Sequence, residues 1–253
     1  MIDKRVATLA EAVAGVADGA TVLVGGFGNS GVPVELVHAL LEQGARDLTV
    51  VTNNAGSGET DIAALIREQR VRRIICSYPR SAGSVWFEQF WRAGEIELEL
   101  VPQGTLSERM RAAGAGLGGF FTPTGADSLL AEGKEVRVLD GRRQVFERPL
   151  PADVALIKAD RADRWGNLVY HSSARNFGPV MATAAKLTTV TETSVITPLV
   201  VSVLLAHRRL ALVMSRTIAM QSSAVEVASA CSTSCCAVVC REVVISGLPR
   251  RWC

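Results

Sequence analysis

Three stretches of this 253-residue chain carry groups that could do chemistry. The first is Gly25-Gly26-Phe27-Gly28-Asn29-Ser30-Gly31, with four glycines in seven residues. Glycine admits positive φ and close backbone approach, so the loop suits a ligand that needs backbone N–H donors. The second is Asn53-Asn54-Ala55-Gly56-Ser57-Gly58-Glu59, another glycine-rich loop at the end of an aliphatic run. The third is Pro102-Gln103-Gly104-Thr105-Leu106. The Gln103 amide can donate to a substrate carbonyl or to an oxyanion formed from it. It can equally cap the next helix or satisfy backbone groups in the turn, and the residues alone leave both readings open. Glu59 is a candidate nucleophile only if buried among placed donors. The plainer reading is a solvated acid near a helix start.

Gly26, Gly28 and Gly31 also spell G-x-G-x-x-G. A nicotinamide-binding unit further needs an acid at the end of the second strand. Here Leu48-Thr49-Val50-Val51 runs into Thr52-Asn53-Asn54, with no carboxylate, which disfavours a dehydrogenase. A bare turn without a ligand would not need so many glycines.

The elements that must position these groups alternate. Apolar spacing (Val6, Leu9, Val13, Val16) predicts a helix within residues 5–17. Strands are expected at 21–24, 48–51, 74–77, 96–101 and 154–158, with helices between them. Pro33 suits a helix start and Gly44 a helix stop. In the fourth strand Glu97 and Glu99 alternate with apolar residues, which predicts one wet face. Asp140-Gly141 predicts a hairpin turn within 134–149, read as a peripheral insertion. A helix is expected over 180–186. The pattern is that of an α/β fold: an open, mostly parallel sheet with helices on both faces.

The chain has 48% hydrophobic and 21% charged residues and a net charge of +2, which gives no case for nucleic acid or an acidic membrane. No apolar run is long enough to span a bilayer, and the N-terminus has no apolar signal region. Cys76 is the sole cysteine before residue 231 and sits in an aliphatic run. A cytoplasmic location is expected. From about residue 191 the composition changes, and Lys, Asp, Phe, Tyr and Asn vanish. That loss suggests a changed reading frame or a chimeric end over 191–253. Cys231, Cys235, Cys236 and Cys240 are spaced C-x3-C-C-x3-C, which is not a zinc-ribbon pattern, and a reducing cytoplasm disfavours disulfides. Residues 200–205 are apolar and β-prone, an aggregation hazard if unpaired.

Asp18-Gly19, Val22-Leu23-Val24-Gly25-Gly26-Phe27, Gly31 and Pro33 together resemble the signature of the A (alpha) subunits of the 3-oxoacid coenzyme A-transferases. Pro102-Gln103-Gly104-Thr105-Leu106, residues 119–125, Asp163-Arg164-Trp165-Gly166-Asn167-Leu168 and Ala174-Arg175-Asn176-Phe177-Gly178-Pro179 extend the resemblance through about residue 190. It implies a domain over 1–190 with the CoA-transferase (NagB-RpiA-like) fold. It also implies transfer of CoA from succinyl-CoA to a 3-oxo acid. Ser77-Tyr78-Pro79-Arg80 resembles the 3-oxoadipate branch more than the acetoacetate-using branch.

In such enzymes a glutamate of the B subunit is the nucleophile, within a Ser-Glu-Asn-Gly motif absent here. The resemblance therefore implies half a site, an A2B2 partner arrangement, a CoA thioester as substrate and no permanently bound cofactor or metal. It gives Gln103 an oxyanion role, the 25–31 loop a CoA-binding role, and Asn53 and Asn54 places in the pocket. Arg80 is the candidate for a distal carboxylate, with Arg109 and Arg175 as alternatives. The other readings are a subunit of the acetoacetate-using type and a non-catalytic chain impaired by its tail.

Overall fold

The computed structural model describes residues 3–80, 83–193 and 199–202. Chain order is α1 (Leu9–Val13), β1 (Thr21–Val24), α2 (Val34–Gln43), β2 (Leu48–Asn54), α3 (Ile62–Arg67), β3 (Val71–Tyr78), α4 (Val85–Arg92), β4 (Glu97–Leu100) and α5 (Gln103–Gly114). There follow β5 (Phe120–Thr122), β6 (Val136–Leu139), β7 (Arg142–Glu147), β8 (Ala152–Ala159), β9 (Arg161–Ala162), β10 (Leu168–Val169), α6 (Gly178–Ala184), β11 (Ala185–Glu192) and β12 (Leu199–Ser202).

The main sheet runs β12-β11-β8-β1-β2-β3-β4. Its six strands from β11 to β4 are parallel, and β12 pairs antiparallel with β11. Strand alternation sends side chains to two cores. Val22, Val24, Val50, Ile74 and Leu156 meet α1 to α4 on one face. Leu23, Val51, Ile75, Ala155 and Ile157 meet α5 and α6 on the other. A sheet buried on both faces explains why its central strands are continuous aliphatic runs.

The α/β reading of the sequence therefore holds, with local differences. The first helix is one short segment, because it starts only at its Thr8 cap and Gly15 lies beyond its end. The β2 and β3 strands extend further than their apolar runs, since parallel pairing continues to Asn54 and Tyr78. Asn53 and Asn54 thus lie on a strand. The last helix stops at Ala184, and Lys186 is in β11, where pairing with β8 overrides an alanine-rich helical pattern. The predicted hairpin forms around Asp140 (φ 50°) and Gly141 (φ 74°), a turn with both central residues left-handed. It is joined by β5 in a three-stranded sheet, β5-β7-β6.

Glu97 is exposed as expected, but Glu99 is not left to solvent. Arg109 of α5 places Nη1 2.6 Å from Glu99 Oε1, and Arg73 pairs with the other oxygen. Within the altered composition, β12 is paired in the main sheet, so 199–202 is not an unpaired strand. The rest of that segment, including Cys231, Cys235, Cys236 and Cys240, lies outside the described residues. Among the described residues no helix is long and apolar enough to cross a membrane.

Candidate active site

Strand order reverses at β1: the chain moves from β1 through β2 and β3 to β4, then returns to β8 on the other side. In open parallel sheets such a switch point opens a crevice at the carboxyl ends of the strands. The glycine loop leaves β1 there.

The loop is a miniature hairpin. Phe27 N–H donates to Ser30 O at 3.0 Å, and Ser30 N–H donates to Phe27 O at 3.1 Å. Gly28, at φ 57°, takes the first central position, as a type II′ turn requires. Gly25 N–H donates to Leu156 O and Gly26 N–H to Asn176 Oδ1. Most of the N–H donors expected to face a ligand are therefore used within the protein. The amides of Gly28 and Asn29, at the exposed tip beside half-exposed Phe27, take no part in this ladder.

The glycines serve packing as well. A Cβ on Gly26, at φ 131°, would meet Val32 Cγ2 at 2.6 Å. One on Gly31, at φ 71°, would meet Ala174 O at 2.6 Å and Asn176 Nδ2 at 2.9 Å. The close approach is between the loop and the 3-10 turn Ser172–Arg175.

On β2, Asn53 follows two residues after Val51 and so points to the α5/α6 face. It is 5% exposed. Gln103 opens α5, and Pro102 takes the cap position without a side-chain bond. The Gln103 side chain reaches back across the sheet edge instead: Nε2 donates to Asn53 Oδ1 at 2.7 Å. Two residues fifty positions apart thus form one amide pair. Gln103 keeps a second Nε2 proton and Asn53 keeps its Nδ2 group, all of them donors.

The other candidates take no part in this pair. Asn54, one residue on, points to the opposite face, and its Oδ1 accepts from Gly56 N–H at 2.9 Å to close a turn. Arg80 lies just past β3, 69% exposed, with Nη2 3.4 Å from Glu88. Arg109 is buried and engaged by Glu99 and Arg148 O, which makes it a structural cation. Arg175 is exposed at the end of the 3-10 turn. Glu59 is exposed, 3.4 Å from Arg67, so the solvated reading stands. Cys76 is buried, and burial pushes its thiol up to about 12, which keeps it protonated and unreactive. Among the described residues no group of His, Cys, Asp and Glu could hold a metal ion.

Sequence reading gave no role to Asn176. Its Oδ1 accepts from Gly26 N–H and, at 2.7 Å, from Phe177 N–H. The two hydrogens of its Nδ2 are shared among Ser30 O, Ser173 O and Ala174 O. The only local signal was an asparagine just before a helix start, a residue type favoured at caps.

The family model for coenzyme A transferase matches residues 6–199. This chain belongs to the coenzyme A transferase family. It is 58% identical over 186 residues to the A subunit of 3-oxoadipate CoA-transferase from Pseudomonas putida, covering 74% of this chain and 80% of that protein. It is 56% identical to the A subunit of 3-oxoadipate CoA-transferase from Acinetobacter baylyi, covering 74% and 82%. Among solved structures it resembles the decarboxylase AibA/AibB, with TM-score 0.65, 27% identity, and 76% and 75% of the two chains covered. Within this coenzyme A transferase, the switch-point crevice, the hairpin tip and the Gln103–Asn53 pair mark one edge of the sheet as the candidate active site.

Proposed function

We propose that this chain is the A subunit of a two-subunit enzyme that moves CoA from succinyl-CoA to 3-oxoadipate. The observation that carries the reading is the Gln103–Asn53 pair: a set of amide donors at a switch-point crevice, without a nucleophile bonded to it among the described residues. The similarity to two 3-oxoadipate CoA-transferase A subunits supports the choice of acid.

A glutamate of the B subunit would attack the thioester carbonyl. The C–S bond breaks, CoA leaves as thiolate, and an acyl-glutamyl anhydride remains. The thiolate then attacks the glutamyl carbonyl, releasing succinate and leaving a glutamyl-CoA thioester. The carboxylate of the second acid attacks that thioester, and the sequence runs in reverse. Each step passes through a tetrahedral oxyanion, to which Gln103 Nε2 and Asn53 Nδ2 would donate. The tip of the 25–31 hairpin would meet the CoA portion, and Arg80 would face the distal carboxylate. The chemistry calls for no resident cofactor. The assembly would be A2B2 and cytoplasmic, where the single early cysteine stays reduced.

Co-expression with a matching B subunit, size exclusion and a transfer assay test this. The expected result is a stable complex that turns over with succinyl-CoA and 3-oxoadipate and prefers 3-oxoadipate to acetoacetate. A soluble chain that neither associates nor turns over would overturn it.

A further inference from the structure

The 25–31 hairpin has only one strand bridge of its own, Phe27 with Ser30. A two-residue hairpin with a single bridge does not hold its shape in water. Its order must come from what it leans on, and Asn176 is the side chain that bonds to both ends of the loop. This one side chain has five polar partners: Oδ1 accepts from Gly26 and Phe177 N–H, and the two Nδ2 hydrogens are shared among the Ser30, Ser173 and Ala174 carbonyls. Its acceptor end holds the start of the loop and its donor end holds the close of the turn. Ser30 Oγ lies 3.1 Å from Ser173 Oγ, a second tether between the same segments. Gly31 has no room for a side chain because the loop is pressed against Ala174 and Asn176.

We propose that Asn176 is a positioning residue: it fixes the glycine hairpin so that the Phe27-Gly28-Asn29 tip is preformed for the CoA thioester. Both ends of the amide are required. Aspartate is nearly the same shape, yet it keeps only the acceptor half and turns a carboxylate toward three carbonyl oxygens. A preformed loop costs no ordering when ligand binds, so losing the clamp should appear in thioester binding. The proposed effect on catalysis rests on the transfer reading above. The dependence of the hairpin on Asn176 does not.

The test uses the full chain reconstituted with its B subunit, comparing wild type with Asn176→Asp and, in case that variant folds poorly, Asn176→Ala. Amide hydrogen exchange reads the loop, and steady-state kinetics reads each substrate separately. The expected result is exchange about ten-fold or more faster at Gly26, Phe27 and Ser30, with Thr21–Val24 and Leu48–Asn54 unchanged. KM for succinyl-CoA should rise about ten-fold while KM for the acceptor acid stays within about two-fold. A purely structural asparagine would instead lower the active fraction and leave both KM values alone. Loop exchange unchanged in both variants would overturn the proposal. So would a loosened loop with an unchanged thioester KM. If the wild-type pair proves inert, the transfer reading fails, and the exchange measurement alone decides whether Asn176 holds the hairpin.

Discussion

Gln103 and Asn53 show how far one residue's role depends on another. Gln103 is exposed and contributes little packing, but Gln103→Ala takes the donor from buried Asn53 Oδ1 and should cost about 1–3 kcal/mol of stability. On the proposed oxyanion role, loss of the Gln103 amide should lower kcat about 10²- to 10³-fold in the reconstituted enzyme. Asn53→Ala should lower kcat too, because Gln103 then loses the acceptor that aims its amide. On the proposed role the two groups act as one unit, so the double variant should fall well short of the product of the single effects. Multiplicative losses in a steady-state cycle would show that the pair does not work together.

At the scale of elements, α5 carries Gln103 at its first position and is anchored by Arg109 six residues on. Arg109 Nη1 meets Glu99 of β4, Nε donates to Arg148 O, and Glu147 of β7 lies 4.0 Å away. Glu147 also takes Lys134 at 2.7 Å. Arg109→Met would leave Glu99 with Arg73 alone and Glu147 with Lys134 alone, and should cost about 1–3 kcal/mol in a urea-unfolding measurement. Burial raises the Glu99 carboxyl, but the hydrogen bond and charge of Arg109, with Arg73 beside it, outweigh that and hold it below its ordinary 4.5. A depressed carboxylate stabilises the fold above its unfolded pKa and loses that contribution as pH falls through the folded one. Stability should therefore drop on acidification below about 4.5, and Arg109→Met should flatten that part of the profile. An unchanged acid limb in the variant would show that Glu99 is not responsible.

For the whole molecule, the described cores draw on residues from Ala12 to Val190. All seven strands of the main sheet end by Ser202. One compact unit spans Met1–Leu204. A chain ending at Leu204 should keep its fold, with a change in unfolding free energy under about 1 kcal/mol and a Tm shift under about 2–4 °C. Calorimetry on the two lengths checks this, and a large drop in Tm would place a stabilising role in the later residues. The same shortened chain should still pair with the B subunit in size exclusion.

The sequence by itself determined the layers of this protein, because periodicity is local. Val22-Leu23-Val24 and Val154-Ala155-Leu156-Ile157 are short aliphatic runs of the type that suits strands covered on both faces, and the glycine loop after the first of them was visible as a turn. Gln103 was legible as a polar group at a strand's end, although whether it capped the helix or faced a substrate was not. Tertiary structure decided that its amide bonds Asn53, since the two meet only when β2 and the start of α5 lie at one edge. It also decided that Asn53 and Asn54, adjacent and identical, serve opposite faces, that Arg109 is spent on Glu99, and that Asn176 closes the loop 150 residues before it. Hydrogen bonds between distant segments leave no period in the sequence. They exist only once the sheet fixes which strand ends lie side by side.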